Sequence, residues 1–324
     1  MSLGVFRGVD FWPHNKTFEL LSFRRPFVIF TSTLLLIALT SLFTKGLNFG
    51  IDFKGGSLLE IQSKSGPVDI GDLRSKLSGL DLGDVQIQGL DRPEEALIRI
   101  EEQPAAEGAS ADEVQQAAAE KVKSTLGESI EIRRVEVVGP GVSNELKQAG
   151  IVAVCFAFLG ILLYVWFRFE WQFGVAAIVA LVHDIALTLG AFSLLQLDFG
   201  LNEVAALLTL AGYSINDTVV IFDRVRENLR RYKKMPLKKL VDISVSETLS
   251  RTVITSGSTL FVVLAIYLLG SDVIHGFAFA LLIGIVAGTW STVFIAAPML
   301  VWIGVKRDWS GTGSAAQPAA TAKA

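Results

Sequence analysis

Six long apolar runs are the feature of this sequence that most restricts its fold. A helix needs about 20 predominantly apolar residues to cross the hydrocarbon core of a bilayer. The chain is 51% hydrophobic with a mean hydropathy of +0.49, so it is more apolar than an ordinary soluble protein. We therefore predict a polytopic α-helical membrane protein. The runs are residues 27–44, 149–167, 173–195, 204–222, 253–270 and 277–305, of which the last is long enough to tilt or to break.

The first run, residues 27–44, is expected to be a retained anchor. It exceeds the apolar core of a signal peptide, which is about 7–15 residues, and no Ala-x-Ala-like cleavage site follows it. Arg24 and Arg25 precede the run, after more than twenty other residues. These features favour a transmembrane helix over a cleaved signal.

The uneven distribution of Lys and Arg predicts how the chain lies in the membrane. The tail 1–26 carries four of them and the connection 223–252 carries nine, whereas the connections 196–203 and 271–276 carry none. Connections rich in Lys and Arg stay in the cytoplasm. Both termini are therefore predicted to be cytoplasmic, and residues 45–148 to be periplasmic.

Two of the predicted cytoplasmic segments have simple interpretations. The connection 223–252 is expected to be a basic, partly helical loop that sets the topology and contacts anionic lipid, with protein docking as the alternative. The tail 306–324 is mostly Gly, Ala, Ser and Pro without periodicity, and is expected to be disordered.

The segment 45–148 is predicted to form a small water-exposed domain. Between Lys45 and Ser143 it carries 11 Lys/Arg and 18 Asp/Glu. Its hydrophobic pattern predicts the order βαββαβ, which is typical of a ferredoxin-like α+β unit with two helices on one face of an antiparallel sheet. Since nothing in it pairs a nucleophile with a base, a binding or docking module is favoured. The predicted strands are 57–62, 84–90, 95–101 and 130–138, the helices are 69–80 and 111–126, and a loop covers 102–110.

Composition argues against several classes of function. A net charge of −3 and a pI near 5.7 leave no basic footprint for nucleic acid. The single cysteine, Cys155, allows no internal disulfide, and His14, His183 and His275 lack the spacing of metal ligands. No nucleophile, base and oxyanion-donor set for a membrane hydrolase is present. We expect no enzyme activity, no metal and no cofactor.

Four ionisable residues lie inside or at the edge of the apolar runs, where a charge costs about 2.5–3.5 kcal/mol on insertion scales. They are His183, Asp184, Asp217 and Arg251. Such residues face a partner or a water path.

The pair Gly284 and Gly288 in the last run is interpreted as a place of close helix packing.

Asp217 is the strongest candidate for a proton carrier. It lies five residues before Phe222, about 7–8 Å inside the fourth run at 1.5 Å per residue, and its neighbours Ser214 and Asn216 offer a hydroxyl and an amide. With Arg251 in reach, such a carboxyl group is suited to take up and release protons. The alternative is a structural ion pair that joins the fourth and fifth spans.

His183 and Asp184 are weaker candidates for the same path. Adjacent residues on a helix point about 100° apart, so at most one of them faces the side of Asp217.

Five segments of the chain form a characteristic succession. They are 48–56 after the first span, 138–141 before the second, 180–184 in the third, 211–228 in the fourth, and 250–252 before the fifth. Together they resemble the SecF subunits of the bacterial SecD/SecF family of protein translocases, and more distantly the resistance-nodulation-division exporters. The resemblance extends in order from about residue 10 to residue 305, and no short motif would suffice alone.

The resemblance implies one span, an external domain and five further spans. It also implies a role beside the SecYEG channel in the inner membrane, often with YajC, where SecF and the larger SecD use the proton gradient late in the export of unfolded preproteins. The external domain is smaller than that of SecD. We therefore expect it to pack against its partner or move with it, not to act alone as a clamp on preproteins.

The resemblance also implies roles for particular residues. The protonatable aspartate of the Asn-Asp motif in span four falls on Asp217, and its arginine partner at the head of span five falls on Arg251. A further aspartate comes from SecD, so this chain is expected to hold half of a proton path. The link between the first span and the external domain contains Gly50, Asp52, Gly55 and Gly56, whose glycines permit tight backbone geometry.

Two other functions stay open from the sequence. One is a scaffold without transport, in which Asp217 and Arg251 join two helices so that the chain assembles with SecD. The other is a proton-driven exporter of small molecules. Six spans and one small external domain argue against the exporter, because they lack the internal duplication that completes its path.

Overall fold

The residues that the computed structural model describes are 18–305 without 84, 91, 104–109 and 128. The predicted tail 306–324, most of the tail 1–26 and the middle of the loop 102–110 lie outside the described residues. Six helices in the described part are long and apolar enough to cross a membrane, and a four-stranded sheet lies between the first and second of them. The chain is a multi-pass membrane protein.

The helices and strands, in chain order, are α1 (Arg24–Thr44), β1 (Asn48–Phe49), α2 (Ile51–Lys54), β2 (Gly56–Ser63), α3 (Ile70–Ser78), β3 (Val85–Gly89), β4 (Glu95–Ile100), α4 (Ala111–Leu126), β5 (Ile130–Val138), α5 (Pro140–Arg168), α6 (Trp171–Leu195), β6 (Asp198–Phe199), α7 (Leu201–Arg231), α8 (Leu237–Leu269), α9 (Asp272–Ser291) and α10 (Ala297–Ile303). A 3-10 turn, Leu20–Phe23, precedes α1, and a π-helical turn, Thr292–Ala296, joins α9 to α10.

The six predicted spans are confirmed as helices, and three of them, α5, α7 and α8, are much longer than expected. Helix α5 begins at Pro140, nine residues before the predicted run. Helices α7 and α8 both continue into the predicted connection 223–252, so that only residues 232–236 lie between them. Pairs such as Arg224 with Glu227, at 2.6 Å and three residues apart, stabilise a helix outside the bilayer. The connection is therefore mostly helical.

The last predicted span is interrupted where a proline follows. Pro298 has no N–H to donate to the carbonyl of Phe294, and its ring crowds the preceding turn. The backbone responds with the π-helical turn between α9 and α10. Within that turn the hydroxyl of Thr292 lies 3.1 Å from the hydroxyl of Thr218 on α7, so the break is held against the neighbouring helix.

The sheet domain, residues 56–138, has the predicted element order βαββαβ. Its strands lie in the order β3-β4-β2-β5 with every neighbouring pair antiparallel. The inward faces of β2 and β4 bury Leu59, Ile61 and Ile98 against Leu77 of α3 and Val122 of α4. Because both helices share this one core, they cover the same face of the sheet.

The N-termini of the two domain helices are capped as their sequences suggest. The carboxylate of Asp69 accepts hydrogen bonds from Gly71 N at 2.8 Å and Asp72 N at 3.1 Å ahead of α3. Ser110 and Glu113 form a reciprocal capping box at α4. The hydrogen bond from the Ser110 backbone N–H lowers the pKa of the Glu113 carboxyl.

Helices α6, α7 and α9 form the centre of the membrane part, and small residues let them approach closely. A Cβ at Gly190 on α6 would lie 2.2 Å from the Cβ of Ala38 on α1. A Cβ at Gly284 on α9 would lie 2.3 Å from Leu210 on α7, so the prediction of close packing there is confirmed. Backbone approach of this kind is what holds helices together where lipid is as apolar as the side chains.

A short segment, the link (residues 45–55), connects α1 to the sheet domain. Strand β1 of the link pairs in parallel with β6, which lies between α6 and α7. The N–H of Gly50 donates to the carbonyl of Phe199 at 3.0 Å, and Phe53 is buried against the aromatic core that contains Phe192. The link is thus fastened to the membrane part at the start of α7.

Candidate functional site

Asp217 is buried in the middle of the membrane part, with an exposed fraction of 4%. Within the described residues its carboxylate accepts one hydrogen bond, from Ser256 Oγ on α8 at 3.4 Å. Ser256 itself receives hydrogen bonds from Tyr213 on α7 at 3.3 Å and Thr289 on α9 at 2.8 Å. The carboxyl group therefore lies at the meeting point of three helices, with one long hydrogen bond.

Arg251 is near Asp217 without being bonded to it. The guanidinium is on the exposed side of α8, close enough for its charge to act on the carboxylate. No ion pair between the two occurs among the salt bridges of the described residues. Asn216, next to Asp217 in the chain, points to the exposed side of α7. The predicted pair is thus an arrangement of neighbours, not a closed ion pair.

His183 and Asp184 form a second buried cluster on α6. Asp184 has no exposed surface and accepts hydrogen bonds from Ser214 Oγ on α7 at 2.6 Å and Ser291 Oγ on α9 at 2.8 Å. His183 Nδ1 lies 3.0 Å from Asp184 Oδ1, and Nε2 of the same ring is buried without a hydrogen-bond partner among the described residues. This cluster joins α6, α7 and α9.

The structure thus divides the six predicted proton-path residues into separate groups. Ser214, predicted as a neighbour of Asp217, donates instead to Asp184. Among the hydrogen bonds of the described residues, none joins Asp184 directly to Asp217. Both acids are nevertheless connected to α7. Asp184 accepts a hydrogen bond from Ser214 of α7, and Asp217 lies on α7 itself, three residues after Ser214.

Sequence reasoning missed the hydroxyl groups that surround the two acids. Ser256, Thr289 and Ser291 lie on α8 and α9, in the stretches 255–259 and 288–292 that contain further Ser, Thr and Gly residues. Their position could have indicated a buried role, because Thr289 and Ser291 closely follow Gly288, where a close helix approach was predicted. A Cβ at Gly288 would lie 3.3 Å from the Cβ of Ser214.

The predicted link residues make specific contacts with the first turn of α7. Asp52 Oδ2 accepts a hydrogen bond from the N–H of Leu201 at 2.8 Å, which places a carboxylate at the N-terminus of the helix that carries Asp217. Glu203 on the same turn accepts from the N–H of Gly200 at 2.7 Å. The link therefore caps α7, a contact that spacing in the sequence did not show.

Gly55 and Gly56 are required by the backbone at the end of the link. Their φ angles are +75° and +114°, which side-chain-bearing residues rarely adopt. A Cβ at Gly56 would lie 2.4 Å from the carbonyl oxygen of Ile100, and one at Gly55 would lie 2.7 Å from Glu102 Oε2. Both glycines let the chain turn tightly against β4 as it enters the sheet domain.

One further ion pair joins the sheet domain to the membrane part. Arg99, on the uncovered face of the sheet, donates to Asp198 of β6, which also accepts from Asn48 Nδ2 at 2.7 Å. Sequence reasoning missed this pair, because the two residues are 99 positions apart. In the described part of the chain, no group of three His, Cys, Asp or Glu side chains is placed to hold a metal ion.

The fold and the site together define a multi-pass membrane protein with buried acids in its central helices and a small sheet domain fastened to one of them. Residues 118–306 match the family model described as "Protein export membrane protein SecD/SecF, C-terminal", and residues 40–66 match the "SecD/SecF GG Motif". The chain therefore belongs to the SecD/SecF family, and the predicted resemblance is confirmed. The second match contains the link and its two glycines.

Curated relatives of the family are similar to this chain over most of its length. Protein translocase subunit SecF of Desulfurispirillum indicum is 45% identical over 280 residues, covering 85% of this chain and 88% of the relative. SecF of Vibrio alginolyticus is 40% identical over 294 residues, covering 91% and 92%. SecDF of Brucella abortus is 42% identical over 270 residues, which are 83% of this chain and 35% of that longer protein.

Solved structures confirm the arrangement of the helices and the sheet domain. The crystal structure of SecDF from Thermus thermophilus, described as a translocon-associated membrane protein, is 34% identical with a TM-score of 0.80 and matches 91% of this chain. SecDF in a super-membrane-facing form is 34% identical with a TM-score of 0.66 and matches 93%. This chain spans 40% of the length of each of those chains.

Proposed function

We propose that this protein is a subunit of the bacterial Sec translocase that works with SecD to drive late steps of preprotein export with the proton gradient. It acts beside the SecYEG channel and YajC on unfolded preproteins, in the inner membrane. The protein itself is a coupling subunit and not an enzyme. Membership of the SecD/SecF family and the names of its relatives support this role.

Charge at the two ends of the helices supports the proposed orientation. Arg168 at the end of α5 and the arginines at the end of α7 lie at the end of the bundle opposite to the sheet domain. Positive connections stay in the cytoplasm, and this rule supports a periplasmic sheet domain and cytoplasmic termini.

The burial of Asp217 with one long hydrogen bond carries the proton-coupled part of the proposal. A buried carboxylate is stable only when it is paired or well supplied with donors. Asp217 has Ser256 at 3.4 Å and Arg251 nearby, and within the described part of the chain the two form no ion pair. Gain of a proton removes the charge and with it the attraction to Arg251. The contacts between α7 and α8 then differ between the two states.

The link supplies a route from Asp217 to the sheet domain. Asp52 caps the N-terminus of α7, and Gly55 and Gly56 follow it directly into β2. A shift of α7 on protonation therefore acts on the link and on the domain that it carries. Movement of α7 and movement of the periplasmic domain are thus one event in the proposed cycle.

The exposed polar face of α7 and α8 supports a membrane partner. Asn216 and Arg251 both point away from this chain, where lipid contact is unfavourable for an amide or a guanidinium. A SecD subunit that covers this face would shield them. The single-chain SecDF relative, of which this chain matches 35%, supports that neighbour.

The direct test is preprotein export in cells that carry Asp217→Asn. The amide keeps the size of the carboxyl group but cannot take up a proton, so export driven by the proton gradient is expected to fall to the level of a strain without the protein. Glu145→Gln on the exposed side of α5 is the matched control, and export is expected to stay unchanged.

Assembly with SecD is measured in the same samples. Full export by Asp217→Asn would contradict the proposal. Loss of the complex in Asp217→Asn would favour a scaffold role, and the exchanged pair Asp217→Arg with Arg251→Asp then separates the two. If the pair only holds two helices together, the exchange is expected to restore assembly and export. If Asp217 carries protons, export is expected to stay absent.

A further inference from the structure

A cavity of about 410 Å³ opens at the end of the membrane part opposite to the sheet domain. It lies where α5 ends and beside the last turns of α7. Its lining consists of four arginines and two acids: Arg168, Asp223, Arg226, Glu227, Arg230 and Arg231. We call it the arginine cavity.

Two of these guanidinium groups are held in place by the protein. Arg168 Nη2 donates to both carboxylate oxygens of Asp223, at 2.7 and 2.9 Å, and Arg226 Nη1 donates to the carbonyl of Arg168 at 3.0 Å. Both guanidinium groups also lie over the ring of Phe169, at 5.1 and 5.2 Å from its centre. Their positions are therefore set before any ligand arrives.

The charge of the arginine cavity is positive. Of its two acids, Asp223 faces two guanidinium groups, and Glu227 is also bonded at 2.6 Å to Arg224, which is outside the lining. Several guanidinium groups around one space are the arrangement that proteins use for phosphate, because the planar fork donates two parallel hydrogen bonds.

Exposed aromatic residues flank the arginine cavity on the membrane side. Trp166 and Phe167 precede Arg168 and are 72% and 84% exposed, and Trp171 at the start of α6 is 59% exposed. Tryptophan at the end of a span marks the level of the lipid head groups, and the neighbouring phenylalanine adds apolar surface. A ligand with a phosphate group and acyl chains finds contacts for both, whereas a free phosphate ion has no use for the aromatic surface.

We propose that the arginine cavity binds the phosphate group of an anionic phospholipid, with its acyl chains along Trp166 and Phe167. The site is independent of Asp217, which lies six residues before Asp223 on α7, about 9 Å away at 1.5 Å per residue. It ties α5 and α7 to the lipid on this side of the membrane.

The test is native mass spectrometry of the purified full-length protein in detergent, titrated with phosphatidylglycerol or with phosphatidylcholine of the same chains. The double variant Arg230→Gln with Arg231→Gln removes two cavity charges. It is expected to lower phosphatidylglycerol affinity roughly thirtyfold, on the basis of about 1 kcal/mol per basic residue. Phosphatidylcholine binding is expected to be weak and unchanged.

Lys234→Gln with Lys239→Gln is the matched control, since it removes two exposed charges from the same region outside the lining. The control is expected to bind phosphatidylglycerol like the unchanged protein, within about twofold. Equal affinities of the two double variants would overturn the proposal. Displacement of the lipid by millimolar inorganic phosphate would overturn it in favour of a free anion.

Folding of the variants is checked by thermal unfolding without lipid. If the double variant unfolds, Arg231→Gln alone is used, with an expected loss of about fivefold for one basic residue. Unchanged affinity in that folded variant would equally overturn the proposal.

Discussion

Asp184 and Asp217 are both buried, but they differ in how many donors surround them. Asp184 accepts from two serine hydroxyls and contacts His183, while Asp217 has one long hydrogen bond from Ser256. A buried carboxylate with several short hydrogen bonds is held rigidly in one place. We therefore propose that Asp184 serves the packing of the helices, and that the proposed proton-dependent step takes place at Asp217.

Replacement of Ser291 by alanine tests this assignment of Asp184. Ser291→Ala removes a 2.8 Å hydrogen bond to a buried carboxylate, so the free energy of unfolding is expected to fall by about 1.5–3 kcal/mol. Ser258→Ala on the exposed side of α8 is the control, with an expected change within about 0.5 kcal/mol. Unfolding in mixed detergent measures both, and equal values would show that Asp184 does not depend on Ser291.

The sequence predicted both acids but not their partners. A charged residue in an apolar run is visible without a structure, because insertion of its charge is unfavourable. Ser256 and Ser291 are ordinary residues in such runs, and which of them meets an acid depends on the rotation of α8 and α9. For the same reason the sequence placed Ser214 with Asp217, whereas the rotation of α7 places it against Asp184.

At the level of the elements, close packing between helices depends on single glycines. Gly190→Ala would bring a Cβ to 2.6 Å from the backbone of Ala38 and push α1 away from α6. We expect a loss of about 1–3 kcal/mol in the free energy of unfolding, as for other overpacked sites.

Gly160→Ala in α5 is the control for the change at Gly190. Nothing lies within 4 Å of its added Cβ, and alanine favours a helix over glycine by about 1 kcal/mol. The control is therefore expected to be neutral or stabilising in the same unfolding measurement. Equal destabilisation by both variants would show that contact between α1 and α6 is not the cause.

The turn at Gly56 depends on space as well as on backbone angle. Gly56→Ala combines a positive φ with a contact of 2.4 Å, whereas Gly66→Ala has a φ of +120° with nothing within 4 Å. Both changes carry the backbone strain of about 1–3 kcal/mol. We expect Gly56→Ala to lower the stability more than Gly66→Ala in thermal unfolding, because only the Cβ at Gly56 meets β4. Equal losses of stability would contradict this explanation.

Helix periodicity predicted the long elements well, and the shortest elements not at all. Strands β1 and β6 are two residues each, so they show no alternation, and their pairing joins positions 150 residues apart. The domain strands β2, β4 and β5 were predictable because each alternates over six residues or more.

At the scale of the whole molecule, the sheet domain is attached by the link and by the pair of Arg99 with Asp198. Replacement of Arg99 by glutamine removes this second attachment without touching the domain core. A partly exposed ion pair contributes little stability, about 0.2–1 kcal/mol, so the expected effect is on motion. The domain is expected to sample a wider range of positions relative to the membrane helices.

Distances between spin labels measure that range. Labels are placed at Ser124→Cys on α4 and Ser271→Cys before α9, after the exposed Cys155 is changed to serine. Arg133→Gln is the control, since Arg133 lies on the same sheet face but pairs with Glu95 inside the domain. A distribution that broadens in both variants, or in neither, would contradict the role of Arg99.

The composition and the six apolar runs predicted the membrane part and the separate domain, but not how the two are joined. Attachment depends on Asp52 at the start of α7 and on Arg99 at Asp198, and neither contact leaves a pattern in the sequence. These contacts connect the helix of Asp217 to the domain on the other side of the membrane surface. They are the contacts through which the proposed coupling of proton uptake to domain movement would act.

Proton flux through the protein tests its central role most directly. The chain and its SecD partner are placed in vesicles that enclose a pH-sensitive dye, and a membrane potential is applied, worth about 2.3 kcal/mol per proton for each 100 mV. Flux in the unchanged protein and in Glu145→Gln is expected to be equal, and Asp217→Asn is expected to match empty vesicles. Flux through Asp217→Asn at the unchanged rate would show that Asp217 carries no protons.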